Sequence, residues 1–165
     1  MQHWILLAWL GLCAVQDIRQ RHLANGLTLG GALLALGYLL WAGNTWLGAD
    51  AVQGGRALLL ALLLTVPGYV LGRMGGGDVK LLAALGLASD PLHLLGTFIG
   101  AALASGLWWL LAPRLLPAAD QPLARSLQYL DPRQGQKYAF APFVLVGMAL
   151  TLIWARYSCR LSLCT

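Results

Sequence analysis

The sequence predicts an all-α, polytopic membrane protein, and three observations support this. Of the 165 residues, 59% are hydrophobic and only 10% are charged, whereas soluble domains average about 25% charged residues. Mean hydropathy is +0.69. The apolar residues form long runs, separated by short segments that hold most of the basic residues. No soluble domain is left between the runs, so we expect one membrane-embedded domain over residues 1–165.

The apolar runs predict six helices, since a membrane span needs about 20 mainly apolar residues. The first is short, but it lacks the positive start and cleavage site of a signal peptide, so we expect it to be retained. The second and third are long enough to span, and the fifth follows Asp90-Pro91, a capping carboxylate and a first-turn proline. The fourth is short, and the third and sixth contain Pro67 and Pro142. The predicted ranges are about 2–17, 27–46, 52–71, 78–88, 92–112 and 138–155.

The basic residues predict the orientation of these helices. The net charge is +5, but the cations lie in short loops, so we expect membrane orientation rather than nucleic acid binding. With the amino terminus outside, the inner loops are at about 18–26, 72–77 and 113–137. Most of the cations are then cytoplasmic, as the positive-inside rule requires: Arg19, Arg21, Arg73, Lys80, Arg114, Arg125, Arg133 and Lys137.

Metal and disulfide sites receive little support from the sequence. The three cysteines form no CxxC pair and have no histidine at a zinc-site spacing, so we expect no metal. Pairing of Cys159 with Cys164 stays open. In the loop 113–137, leucines at helical spacing allow a short helix on the membrane surface, although we favour a loop packed on the helix ends.

Two of the six aspartates stand out because each lies where a predicted helix meets the cytoplasmic side. Asp17 ends the first helix and Asp78 begins the fourth. The eleven residues from Asp78 to Ala88 give ~16 Å of helix, about half the ~30 Å hydrocarbon core. We therefore expect Asp78 to be recessed. Gly75, Gly76 and Gly77 are expected to form an unwound segment that lines a water-filled pocket.

A pair of facing carboxylates can perform aspartic proteolysis. One ionised carboxylate activates water while the protonated one polarises the scissile carbonyl. Asp78 begins a helix, where the dipole favours the ionised form, and Lys80 adds positive charge. We therefore expect Asp78 to be the resting base and Asp17 the resting acid. Arg19 and Arg21, close to Asp17, oppose this assignment.

Three segments carry a family resemblance. "GGGDVKLLAALG" from residue 75 and "DIRQRHLANGLTL" from residue 17 resemble the two catalytic segments of the type IV prepilin peptidases, which are membrane aspartic proteases with a GxGD motif. "FAPFVLVG", residues 140–147, resembles a third segment of that family in the last helix. Ala24 stands where the family has proline, while the following Asn25 matches.

The resemblance implies a substrate and a cellular setting. The substrate is a membrane-inserted pilin precursor, cut after the glycine of a short basic leader at the cytoplasmic face of a prokaryotic inner membrane. Asp17 and Asp78 are the implied catalytic pair. Lys80, Arg19, Arg21 and Asn25 are candidates for support or substrate contact. No cofactor or metal is implied.

Larger members of the family add a zinc-binding cysteine insertion and methylate the new amino terminus. This chain lacks such cysteines, and it is more similar to the short, single-function enzymes of Flp (tight adherence) pili and to archaeal preflagellin peptidases. We therefore expect no methyltransferase activity.

Three alternatives remain at this point. A transporter component would use Asp17 and Asp78 in a proton or cation path, although the sequence shows no inverted repeat. A presenilin-like or signal-peptide-peptidase-like protease would have more helices, and a tyrosine where this chain has Gln16. A non-catalytic assembly protein could have kept the fold.

Overall fold

The protein is helical throughout the part of the chain that its computed structural model describes, residues 2–20, 25–72, 74–115 and 139–162. Within these ranges no strand is found, apart from an isolated bridge between Asn44 and Asp50 in the turn after the second helix. Six helices occur there: α1 Gln2–Gln20, α2 Asn25–Ala42, α3 Ala51–Val70, α4 Gly76–Ala88, α5 Pro91–Leu115 and α6 Ala141–Ser162. The predicted all-α class is confirmed.

Lengths and surface composition show a multi-pass membrane protein. Among the described helices, α2, α3, α5 and α6 are long and apolar enough to cross a membrane. They also expose large apolar side chains, such as Leu40 at 78% and Trp41 at 87%, as lipid-facing surfaces do. The 13 residues of α4 measure ~20 Å, shorter than the ~30 Å core. Six complete membrane spans therefore stay a prediction. The orientation with the amino terminus outside also stays a prediction.

The helices pack in two groups with α4 in the middle of one. α4 packs on α3 and α2, whereas α6 packs on α5 and α1. The core joins the groups through buried side chains of three helices, including Leu10 of α1, Leu81 and Leu85 of α4, and Val144 and Met148 of α6. Asp17 on α1 and Asp78 on α4 thus come from different groups.

Glycines let the helices within each group approach closely. A Cβ built on Gly100 of α5 would lie 2.8 Å from the Cα of Gly147 in α6. One built on Gly86 of α4 would lie 2.9 Å from the carbonyl group of Ala57 in α3. Small residues at such crossings are typical of membrane helix pairs. These two crossings therefore fix the position of α6 against α5 and of α4 against α3.

Several helices begin or end at residues other than those predicted from the sequence. α1 continues past Asp17 to Gln20, so the predicted loop 18–26 is partly helical. α4 begins two residues before Asp78, and the expected unwound segment shrinks to Gly75 because Gly76 and Gly77 are helical. The cause is local, because the Asp78 side chain caps the first turn from its third position.

The last two helices also differ from their predicted ranges. α6 begins at Ala141 and runs to Ser162, so Pro142 is its second residue rather than an interior one. Proline is tolerated there because first-turn N–H groups have no partner within the helix. α5 extends to Leu115. The predictions for the rest of the loop 113–137 and for pairing of Cys159 with Cys164 lie outside the described residues or side chains.

Candidate active site

Asp78 is fastened to the start of its own helix. Gly75 precedes α4 with extended backbone angles, φ −76° and ψ 148°. The N–H of Gly75 donates to Oδ2 of Asp78 at 3.1 Å, and the N–H of Asp78 donates back to the Gly75 carbonyl oxygen at 3.1 Å. A Cβ on Gly75 would come within 3.1 Å of the same Oδ2. Glycine therefore lets the carboxylate lie close over the backbone.

The stretch from Gly75 to Lys80 is partly exposed rather than enclosed by the helices. Asp78 is therefore accessible from one side, while the next turn of α4, with Leu81 and Leu82, is buried in the core. The start of α4 therefore places a carboxylate at the boundary between partly exposed backbone and the apolar core.

Asp17 is held by a different helix. Its side chain is only 6% exposed, in the last turn of α1. Its Oδ2 accepts a hydrogen bond at 3.0 Å from the backbone N–H of Ala141, which is 124 positions away and begins α6. A buried carboxylate without such a donor would be costly. Packing of α6 on α1 therefore accommodates the acid.

The two carboxylates lie within electrostatic range of each other. The negative charge of Asp17 acts on Asp78, although the first belongs to the carboxyl end of α1 and the second to the amino end of α4. Two like charges that interact in this way are harder to ionise together than separately.

Lys80 and Asn25 join the two catalytic segments of the resemblance. The Lys80 Nζ donates to the Asn25 Oδ1 at 2.8 Å, in an exposed position. Asn25 is the first residue of α2, so the bond ties the starts of α2 and α4 together. The sequence placed Lys80 beside Asp78 as a source of charge and did not indicate this partner. Arg19 is exposed in the last turn of α1, and Arg21 lies outside the described residues.

Metal ligation has no candidate in the part of the chain that the structure describes. No group of three or more histidine, cysteine, aspartate or glutamate side chains is arranged there to hold an ion. Cys13, one turn before Asp17, is a buried free thiol. Among the described residues, the two carboxylates are each bound by a backbone N–H group.

A family comparison identifies the kind of protein. A family model described as the type IV leader peptidase family matches residues 4–110. The chain belongs to the type IV leader peptidase family. The matched region includes Asp17, Asn25, Asp78 and Lys80, and the resemblance seen in the motifs is confirmed. The matched region ends before α6, so Ala141 lies beyond it. Searches of the curated proteins and of the solved structures gave no match.

Sequence reasoning missed Ala141 as a partner of Asp17. The only signal was the likeness of "FAPFVLVG" to a third family segment, which did not say what the segment does. A backbone donor leaves no chemical mark in the sequence, because every residue except proline carries an N–H group. The contact became visible only from the packing of α6 on α1.

Proposed function

We propose that this leader peptidase family member is an aspartic endopeptidase, folded as a single membrane-embedded domain, that removes the short basic leader from type IV pilin-like precursors. Cleavage follows the leader glycine at the cytoplasmic face of a prokaryotic inner membrane. The observation that carries the proposal is that Asp17 and Asp78, which come from two packing groups, lie near enough for the charge of one to act on the other.

The reaction is hydrolysis of one peptide bond by a carboxylate pair. The ionised carboxylate takes a proton from water, and the oxygen of that water attacks the carbonyl carbon. The protonated carboxyl group gives its proton to the carbonyl oxygen, which produces a tetrahedral intermediate. As the C–N bond breaks, the intermediate loses the hydroxyl proton and the leaving nitrogen gains one. The products are the leader carboxylate and the amino terminus of the mature pilin.

The pair is proposed to share one proton without a fixed base at rest. The sequence argument gave the base role to Asp78 because it begins a helix. Asp17 also has a helix amino terminus beside it, since Ala141 begins α6. The dipole argument therefore favours ionisation of both groups and no longer separates them.

The predicted orientation in the membrane suits a peptide substrate that emerges from the bilayer. With the amino terminus outside, the end of α1 and the start of α4 face the cytoplasm, where the leader of a membrane-inserted precursor would lie. Arg19 and Arg21 lie two and four positions after Asp17 in the sequence, and Lys80 and Asn25 connect α4 to α2. These four residues are proposed to support the site or to contact the substrate. Methylation of the new amino terminus is not part of the proposed activity.

Cleavage assays with matched aspartate variants test the proposal. Purified wild type, Asp17→Asn and Asp78→Asn are incubated in detergent with candidate pilin precursors, and leader removal is measured by mass. We expect cleavage by the wild type alone. Asp50→Asn is the control, because Asp50 is exposed before α3 and its side chain makes no capping hydrogen bond. Undiminished cleavage by either site variant, or ion flux without cleavage, would exclude the proposed function.

A further inference from the structure

The start of α6 reaches the site from outside the family match. The match ends at residue 110, whereas the donor to the buried Asp17 carboxylate is the N–H of Ala141. α6 therefore contacts one of the two carboxylates directly, and the group that makes this contact belongs to the backbone.

We propose that the backbone N–H of Ala141 is a positioning donor for catalysis, which holds Asp17 in the orientation that the dyad needs. The inference rests on the proposed function, because it concerns the same carboxylate pair. An N–H group donates and does not accept. Oδ2 of Asp17 therefore directs a lone pair at α6, and this bond favours Oδ1 as the oxygen that carries the exchanged proton.

The first turn of α6 leaves this N–H for Asp17. The N–H groups of Phe143 and Val144 both donate to the Phe140 carbonyl oxygen, at 3.0 and 3.3 Å. Pro142 has no N–H. Of the first four residues of α6, only Ala141 thus has a donor that the helix itself does not use. Its partner is the Asp17 carboxylate.

Asp78 also accepts a hydrogen bond from a backbone N–H. The N–H of Gly75, just before α4, donates to Oδ2 of Asp78 at 3.1 Å. Each member of the pair thus accepts a hydrogen bond from a backbone N–H at a helix start. The difference is that Gly75 belongs to the same segment as Asp78, whereas Ala141 must be brought to Asp17 by helix packing. Packing of α6 on α1 supplies that placement, and the close crossing of Gly100 and Gly147 fixes α6 against α5.

An amide-to-ester exchange tests the role of one N–H directly. Ala141→lactic acid, introduced by nonsense suppression, replaces the N–H by an ester oxygen and keeps the side chain. The matched control is Val144→α-hydroxyisovaleric acid, which removes an N–H that serves the same helical turn through Phe140. Both chains are assayed in detergent beside the wild type and Asp17→Asn.

We expect the Ala141 ester to lose about 10- to 100-fold in kcat, the effect of removing one hydrogen bond to a charged group. KM should stay within about twofold, because an orientation lost at the reacting groups does not weaken substrate binding. The pH profile of kcat should also change shape relative to the Val144 ester. A kcat and a pH profile equal to those of the Val144 ester would overturn the inference.

A second pair of variants decides the case if the ester chain does not fold. Ala141→Pro also removes the N–H, at a first helical position where proline is accepted, whereas Ala141→Gly keeps it. Low kcat with proline and near-normal kcat with glycine supports the inference, and equal values for the two overturn it. Cleavage that persists in Asp17→Asn refutes the aspartic mechanism itself. Loss of cleavage in Asp17→Asn with an unaffected Ala141 ester refutes only the positioning role.

Discussion

Adding one methyl group at Gly86 should separate α4 from α3 and weaken both stability and cleavage. A Cβ at this position would lie 2.9 Å from the backbone C and O of Ala57 and from the N of Leu58, while ordinary contact starts at 3.4 Å. The helices would have to part by 0.5 Å along this direction. Backbone atoms cannot turn aside as a flexible side chain can, so the whole of α4 must move.

The expected change in unfolding free energy for Gly86→Ala follows from two opposing effects. Overpacking costs about 1–3 kcal/mol, and replacing a helical glycine by alanine returns about 0.5–1 kcal/mol. We therefore expect Gly86→Ala to lose about 1–2 kcal/mol of unfolding free energy. Asp78 lies in the first turn of the same helix, and a displacement of about 1 Å at a catalytic group can cost about 100-fold in rate. A shift of half that size should lower kcat by about tenfold.

The assay compares Gly86→Ala with Gly106→Ala in the same detergent. Gly106 lies in α5, and a Cβ there meets nothing within 4 Å, so the control makes the same chemical change without a clash. Unfolding free energy is measured by denaturant titration and kcat with a pilin precursor. A Gly86→Ala protein as stable and as active as Gly106→Ala would refute the close-crossing argument.

Three further outcomes are expected. In a double-mutant cycle of Lys80→Met and Asn25→Ala, the hydrogen bond at 2.8 Å should give a coupling of about 0.5–1.5 kcal/mol in unfolding free energy; strictly additive losses would show that the two residues do not act together. In a Cys159→Ser, Cys164→Ser background, the buried Cys13 should react with a thiol reagent only as fast as the protein unfolds, and immediate labelling would contradict its burial. Incubation with a strong chelator should leave leader cleavage unchanged, because the proposed reaction needs only two carboxylates and water; loss of activity that added metal restores would contradict it.

The fold class was predictable because it depends on side-chain composition. Long apolar runs specify helices in lipid, where every backbone polar group must be satisfied within the segment. The order of the six described helices therefore followed from the sequence. Their ends did not, because they depend on single capping contacts. Asp78 illustrates this, since its side chain reaches back to the Gly75 N–H and starts α4 at Gly76.

The candidate site was predictable only where side chains carry the chemistry. Asp17 and Asp78 stand out as acids at helix ends, and the structure brings them within electrostatic range. The partner of Lys80 was not foreseeable, because Asn25 is 55 positions away and nothing in the sequence pairs the two residues. Ala141 was missed for a stronger reason, since its contribution is a backbone N–H that only the placement of α6 reveals.

The most direct test of the central claim is the rate of leader cleavage by Asp17→Asn, Asp78→Asn and the double variant, measured side by side. If the two carboxylates act as one unit, each single change should lower kcat by about a thousandfold or more, and the double change should lower it no further. A single variant that cleaves at the wild-type rate, or single losses that multiply in the double variant, would contradict the account.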